Sequence, residues 1–258
     1  MIEVHQLAAL NDNYAFLLRE PVSGLVATVD TPDATVIRRF LDQKGWNLDF
    51  IFNTHHHRDH VGGNRELIER YEPEVFGSGK DKARIPGLTK ELFDGDEFDF
   101  GHERVKVMGA DGHTLGHIVY WMPESSALFV GDTIFSLGCG KLFEGSPQQM
   151  WTSLARLREL PGDTQIYCAH EYTLENAAYA LLAEPGNLVL RARVRECESL
   201  RAVGKFTVPC SMENEKACNP FLRPESLELQ RNVNAEGREL WEIFGATRAA
   251  KDEFDARN

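Results

Sequence analysis

Short hydrophobic runs separated by turn residues dominate the first two-thirds of the chain. Such runs are typical of strands, and they occupy residues 16–19, 25–29, 48–53, 75–76, 98–100, 104–108, 117–122, 127–130 and 165–168. Apolar positions three and four residues apart predict helices over 31–44, 64–71 and around 150–157. The first of these helices is expected to begin at Thr31-Pro32 and to end at Gly45.

The pattern becomes helical near residue 172. Helices are predicted over 174–184, 187–203 and 236–254, and the stretch TVPCSMENEKACNPFLRPES (207–226) between the last two has no regular period. Many strands with few helices, followed by helices alone, favour an α+β fold of two sheets with outer helices. We expect a first domain over 1–172 and a helical C-terminal domain over 173–258 that packs on it.

Composition and charge exclude several classes of protein. Hydrophobic residues make up 42% and charged residues 26% of the 258 positions, which is typical of a globular enzyme and not of a disordered chain. The net charge of −12 argues against a nucleic-acid or anionic-membrane surface. Five cysteines without a close C-x-x-C pair favour free thiols. Because neither a membrane-length apolar run nor an export signal is visible, we expect a cytoplasmic protein, and we take it to be a monomer.

The sequence FNTHHHRDH (52–60) contains four of the nine histidines and directly follows a predicted strand. Its T-H-x-H-x-D-H spacing places His55 and His57 where they can converge on one point, and turns Asp59 and His60 toward another. Imidazole and carboxylate groups suit zinc, iron or manganese. The stretch can supply only half of two metal sites, and for the cluster alone a solvated loop or an adventitious metal tract stays open.

The other candidate ligands stand at the ends of three further predicted strands. They are His113 in GADGHTLGH, Asp132 in LFVGDT and His170 in YCAHEYT. Taken singly, each has a plainer interpretation, as an ordinary histidine, a turn aspartate or the first residue of a helix. Because all four segments pass from a strand into a loop, we interpret them together as one metal-binding rim. Asp30, at another strand end, is either a turn aspartate or a group that orients a ligand histidine.

The order of these residues resembles the metallo-β-lactamase superfamily, and further motifs resemble its glyoxalase II (hydroxyacylglutathione hydrolase) family. The motifs are NDNYAFLL (11–18), VGGN (61–64), GHTLGH (112–117), GDTIFSLGCGKLFEG (131–145), CAHEYT (168–173), NPFLR (219–223) and RAAKDEF (248–254). They span nearly the whole chain. The resemblance implies an αββα sandwich of two mixed sheets with outer helices, and a helical C-terminal domain that contributes to substrate binding.

The resemblance also implies a ligand set for two divalent metal ions. The first ion would bind His55, His57 and His113, the second would bind Asp59, His60 and His170, and Asp132 would bridge both. Zinc is the expected metal, with iron or manganese open because they accept the same ligands. His56 and Arg58 stand at variable positions of the motif and are not expected to bind metal, and His117 is expected to be structural.

For the glutathione part of a substrate, the family uses basic and hydroxyl-bearing residues. They match Lys141, Tyr172, Arg248 and Lys251 in this chain. Local cations of this kind would bind carboxylates despite the acidic net charge. Two departures from the family pattern bear on substrate affinity: Ala110-Asp111 stands where members have Thr-Pro, and Phe143 stands at the substrate site where some members have tyrosine.

The implied activity is hydrolysis of S-(2-hydroxyacyl)glutathione, typically S-D-lactoylglutathione, to glutathione and a 2-hydroxy acid (D-lactate), the second step of methylglyoxal detoxification. A hydroxide held by both metal ions would attack the thioester, with Asp59 and Asp132 as catalytic residues. The alternatives are another hydrolase of the superfamily (a lactonase or β-lactamase), a nuclease, and a non-catalytic metal-binding module. RAAKDEF and GCGKLFEG speak against the first, the acidic charge against the second, and the complete ligand set against the third.

Overall fold

The computed structural model describes residues 1–257. Its internal contacts divide the chain into two units. The first consists of Met1–Ala110 and Leu115–Gly131, and the second of Asp111–Thr114 and the described residues from Asp132 onward. The short segment Asp111–Thr114 therefore belongs with the later part of the chain, although it interrupts the first unit in sequence.

One mixed sheet lies in the first unit. Its strands, in spatial order, are β1 (Glu3–Ala9), β2 (Asn13–Arg19), β3 (Val26–Val29), β4 (Phe50–Phe52), β5 (Glu74–Ser78) and β6 (Lys90–Leu92). The first three strands pair antiparallel through short turns, and β3 to β6 pair parallel through longer connections. Because β3 and β4 are parallel neighbours, their carboxyl ends lie side by side at one edge of the sheet.

A second layer of strands faces this sheet within the same unit. It contains the antiparallel strands β7 (Glu97–Phe100), β8 (Glu103–Gly109), β9 (Ile118–Met122) and β10 (Ala127–Gly131). Aromatic rings fill the space between the layers, with Phe52 packed 5.7 Å from Phe100 and 5.5 Å from Tyr120. The buried Tyr120 hydroxyl donates to the carbonyl oxygen of Asn53 at 2.8 Å, so it is satisfied inside the core.

Helices cover the outer face of the first sheet. They are α1 (Ala34–Lys44), α2 (Arg58–Val61) and α3 (Asn64–Tyr71). Helix α1 buries Ile37 and Leu41 in the core of the unit. The predicted start of α1 at Thr31-Pro32 is wrong, because the Asp33 side chain caps the helix and the Thr31 hydroxyl donates to Asn64 Oδ1 at 2.6 Å.

The second unit is mainly helical. Its elements are β11 (Ile134–Phe135), β12 (Gly138–Cys139), α4 (Pro147–Leu157), β13 (Gln165–Cys168), α5 (Thr173–Ala183), α6 (Leu188–Ala202), β14 (Cys210–Ser211), α7 (Met212–Cys218), α8 (Leu227–Asn232) and α9 (Leu240–Asp255). Ala180, Leu190 and Cys218 share a core between α5, α6 and α7. Trp151 of α4 packs beside Phe244 of α9, with ring centroids 6.2 Å apart.

Two expectations for the helical part need correction. Helix α7 lies inside the stretch that was expected to be irregular, and the side chain of Ser211 caps it by accepting a hydrogen bond from Asn214 N. The last helix begins at Leu240 and not at residue 236, because residue 239 forms its capping box with Glu242. The other predicted helices and strands are present within a few residues of their expected bounds.

No helix within residues 1–257 is long and apolar enough to cross a membrane. The five cysteines of this range are unbridged and buried, which confirms the expectation of free thiols.

Candidate active site

Buried polar groups fix the loop that follows β4. The carbonyl oxygen of Thr54 accepts a hydrogen bond from Ile118 N of β9 at 2.9 Å, and Asn53 Nδ2 donates to the carbonyl oxygen of His60 at 3.0 Å. Asn53, Thr54 and His60 are all buried. Hydrogen bonds between buried groups therefore hold this loop in its conformation.

The structure brings the four candidate ligands of this loop together. The ring centroids of His55 and His57 lie 4.6 Å apart, and their ligand atoms lie within 4.8 Å of each other. His60 Nε2 lies 3.4 Å from Asp59 Oδ2. The two pairs adjoin, because the ring centroids of His55 and His60 lie only 4.0 Å apart.

Asp30 holds this loop from the end of β3. Its carboxylate accepts hydrogen bonds from the backbone nitrogen and the hydroxyl of Thr54, and it lies beside His60 Nδ1, at 2.8 Å in each case. The Thr54 hydroxyl lies 3.1 Å from His55 Nδ1. With Nδ1 of each ring held in this way, Nε2 is the nitrogen that each histidine would present to a metal ion. Because Asp30 also has a left-handed φ of 55°, it is a turn residue and an orienting residue at once.

The histidines outside these pairs have other contacts. His56 Nδ1 lies 3.0 Å from Oδ2 of the fully buried Asp81, which Arg84 also contacts through Nε at 3.1 Å. His117 stacks on His55, with ring centroids 4.7 Å apart and planes 20° apart. His56 thus fixes the loop through its contact with Asp81, while His117 packs against the ring of the candidate ligand His55.

The second unit supplies three buried candidate ligands of its own. Asp132, which follows β10, lies between two imidazoles: Oδ2 is 3.4 Å from His113 Nε2, and Oδ1 is 3.4 Å from His170 Nε2. His113 Nδ1 lies 2.8 Å from the carbonyl oxygen of Lys141, so Nε2 is again the nitrogen that would face a metal ion. Gly131 turns the chain into Asp132 with φ of 49°, a conformation that glycine adopts without steric cost.

The chemistry of these groups fits divalent metal ions. All are imidazole nitrogens or carboxylate oxygens, the donors that bind zinc, iron or manganese. Asp132 presents its two oxygens to two different histidines, as a carboxylate that bridges two ions would do. Ligand histidines typically have their second nitrogen held by a carboxylate, hydroxyl or carbonyl group. The donor set therefore fits a dinuclear site, and it does not select one metal.

A pocket of about 380 Å³ lies in the second unit, with His113 and Asp132 in its wall. The five residues that the family resemblance implies for substrate binding line it: Lys141, Phe143, Tyr172, Arg248 and Lys251. Cys139, Glu175, Asn176 and Asp255 also line it, and none of these four was expected there from the sequence. Helical spacing could have found three of these, because Glu175 and Asn176 follow Tyr172 by three and four positions and Asp255 follows Lys251 by four.

Two cations of the pocket are almost enclosed by protein. The side chains of Arg248 and Lys251 are only 4% and 5% exposed. Arg248 donates from Nη1 to the carbonyl oxygen of Cys139 and from Nη2 to Asp252, at 2.9 Å each, while Lys251 contacts Asp255. Burial raises the pKa of the Cys139 thiol to about 11. This thiol therefore stays protonated near neutral pH and is unsuited to act as a nucleophile.

Aromatic rings of the pocket pack on the candidate ligands. Tyr172 stacks on His170, with centroids 4.7 Å apart and planes 6° apart. Phe143 meets His113 edge-on at 5.2 Å and is 65% exposed. At the position where some family members carry a tyrosine, Phe143 offers the pocket an apolar ring without a hydroxyl.

Comparison with known proteins covers both parts of the chain. The family model of the metallo-beta-lactamase superfamily matches residues 25–170, and that of the hydroxyacylglutathione hydrolase C-terminus matches residues 171–254. Proteins named hydroxyacylglutathione hydrolase from Methylococcus capsulatus and Maricaulis maris are 48% and 47% identical to this chain. The alignments cover 98% and 97% of this chain and 99% and 98% of those relatives.

Solved structures share the fold. The crystal structure of ETHE1 from Myxococcus xanthus aligns over 96% of this chain and 99% of its own, with a TM-score of 0.67 and 24% identity. TTHA1623, crystallised in a di-iron-bound form, aligns over 65% of this chain and 91% of its own, with a TM-score of 0.55 and 26% identity. The predicted metallo-β-lactamase fold with a helical C-terminal region is thereby confirmed. Because the family models and the full-length relatives agree, the chain belongs to the hydroxyacylglutathione hydrolase family of the metallo-β-lactamase superfamily.

Proposed function

We propose that the protein is a thioester hydrolase that cleaves S-(2-hydroxyacyl)glutathione to glutathione and a 2-hydroxy acid. The proposal is carried by the pocket of the second unit, which Lys141, Arg248 and Lys251 line together with His113 and Asp132. An anionic thioester needs cations for its carboxylates beside the groups that promote hydrolysis. The names of the relatives support the same substrate class.

We also propose that the seven candidate ligands hold two divalent metal ions, as the di-iron-bound form of TTHA1623 suggests. The proposed ligands are His55, His57, Asp59, His60, His113, Asp132 and His170. When bound, the ions would supply Lewis acidity and a water activated near neutral pH. We propose zinc as the metal, and metal analysis of the purified protein tests this choice.

Side chains of the pocket would bind and orient the substrate. Arg248 and Lys251, both on α9, would bind a carboxylate of the glutathione part, so that the helical region from residue 173 contributes to substrate binding. The Tyr172 ring, stacked on His170, would fix the direction in which the thioester approaches. The thiol of the leaving group has a pKa of roughly 8.5 and departs as thiolate, so no side chain has to protonate it.

One metal-loaded sample assayed against four substrates tests the proposed activity. The substrates are S-D-lactoylglutathione, a β-lactam, a lactone and a phosphodiester. We expect kcat/KM for the thioester to exceed the others by at least about a hundredfold. A faster reaction with the β-lactam or lactone would replace the proposal by another hydrolase activity, and no reaction at all would favour a non-catalytic metal-binding module.

Two variants test the proposed roles of individual residues. Asp132→Ala should lose bound metal and hydrolysis together, and full retention of both would contradict the bridging role. Lys251→Ala should raise KM about tenfold with little change in kcat, because the lysine contacts a part of the substrate that does not react. A lower kcat with unchanged KM would contradict the binding role.

Cytoplasmic location and the monomeric state stay predictions.

A further inference from the structure

Asp255 is placed as an anion beside the two enclosed cations of the pocket. It is the last residue of α9 and lines the pocket. One oxygen of its carboxylate contacts Lys251 Nζ, and the other lies 3.7 Å from Arg248 Nη2. These are the cations proposed to bind a substrate carboxylate, so an acidic side chain of the protein already stands where that carboxylate would bind.

Helix stability does not account for an acid at this position. A carboxylate at the C-terminal end of a helix is unfavourable, because that end carries the negative pole of the helix dipole. A lysine four residues before an acid is also the weaker orientation of such a pair. Arg248 has Asp252 as a counter-ion at 2.9 Å, and it therefore does not require Asp255.

The exposure of the three side chains indicates which of them can move aside. Arg248 and Lys251 are nearly enclosed, whereas the Asp255 side chain is 29% exposed. Helix α9 ends at Asp255, so a rotamer change of this one residue takes its carboxylate toward water without disturbing a following turn of helix. The cations are thus fixed, and the acid is the partner that can leave.

We propose that Asp255 is an internal competitor that lowers the affinity of the pocket for an anionic thioester and for the glutathione product. This inference rests on the proposed function and names a residue that sets substrate affinity in that reaction. Asp255 and the substrate carboxylate repel each other when both face the same pair of cations. Binding therefore requires that Asp255 turn away, and the same competition promotes departure of the product.

The test uses Asp255→Asn in the full chain with its metal bound. We expect KM for S-D-lactoylglutathione and Kd for glutathione to fall about three- to tenfold, with kcat within about twofold of the wild type. Glu253→Gln is the matched control. It removes the same charge from the same helix, but Glu253 is 71% exposed and pairs with Arg257, so KM should not change.

Each outcome separates the explanations. Unchanged or raised KM and Kd in Asp255→Asn would overturn the inference, because Asp255 would then orient Lys251 for the substrate. An equal fall in Glu253→Gln would also overturn it, in favour of a general effect of net charge. Calorimetric binding of glutathione does not depend on hydrolysis. Tighter binding to Asp255→Asn would therefore support the inference even if the wild type cleaved no thioester and the proposed function failed.

Discussion

Replacement of Asp30 by asparagine tests how the loop after β4 is held. In the native protein one carboxylate accepts from the backbone nitrogen and hydroxyl of Thr54 and faces His60 Nδ1, all at 2.8 Å. The asparagine oxygen can still accept from Thr54 N, but its amide group must then face the hydroxyl and the imidazole. His60 would accept at Nδ1 and carry its proton on Nε2, the atom that should bind metal.

The expected losses follow from these contacts. Asp30→Asn can keep all three hydrogen bonds with altered polarity, so the free energy of unfolding of the metal-free protein should fall by only about 1 kcal/mol. Metal affinity should fall about 10- to 100-fold, because the His60 tautomer is wrong. In Asp30→Ala, the Thr54 hydroxyl can turn toward His55 and His60 can change tautomer, but Thr54 N stays buried without an acceptor. For that variant we expect the free energy of unfolding to fall by about 2–4 kcal/mol.

Denaturant unfolding of the metal-free protein and zinc titration against a chromophoric chelator measure the two quantities separately. Asp33→Ala is the control, because it removes the N-cap of α1 and should cost about 1 kcal/mol without changing metal affinity. Wild-type metal affinity in Asp30→Asn would refute the reasoning about the His60 tautomer. A loss below about 0.5 kcal/mol in Asp30→Ala would refute the hydrogen-bond reasoning as well.

Three further predictions concern the supports of the site. In Gly140→Ala the new Cβ would overlap the carbonyl oxygen of Asp132, so thermal unfolding should show a loss of about 1–3 kcal/mol, with reduced metal content. Asp81→Ala removes the buried partner of His56 and should cost about 1–3 kcal/mol by urea denaturation; a change below about 0.5 kcal/mol would contradict this role. Burial raises the pKa of Glu215, so the free energy of unfolding should fall as pH rises from the usual glutamate range through that raised pKa, and Glu215→Gln should remove this slope.

The candidate ligands could be predicted because four of them form the T-H-x-H-x-D-H pattern and the other three each follow a predicted strand. His113, Asp132 and His170 follow β8, β10 and β13 in the structure, as the strand pattern indicated. The role of Asp30 could not be decided from sequence, since a turn aspartate and an orienting group look alike there. The parallel pairing of β3 with β4 settles it by bringing Asp30 beside the loop that carries His60.

Contacts between distant polar residues had no comparable pattern. A single sequence does not show that Asp81 lies beside His56, 25 positions away, because any of many acids could pair with that histidine.

Helix α7 was missed because short polar segments have little helical tendency on their own and depend on tertiary packing. Strand β1 was missed because most of its side chains are only half-buried, so apolar and polar residues do not alternate clearly.

The position of Asp111–Thr114 in the second unit has a consequence for biosynthesis. His113 leaves the ribosome well before the residues that hold it, since Lys141 supplies the acceptor for its Nδ1 and Ser153 donates to the carbonyl oxygen of Asp111, 42 positions later. At roughly 5–20 residues per second, that interval lasts about 2–8 seconds. During this time the nascent chain displays the histidines of the β4 loop while His113 is still unanchored. We therefore expect metal loading to be a late event, which follows translation of the second unit.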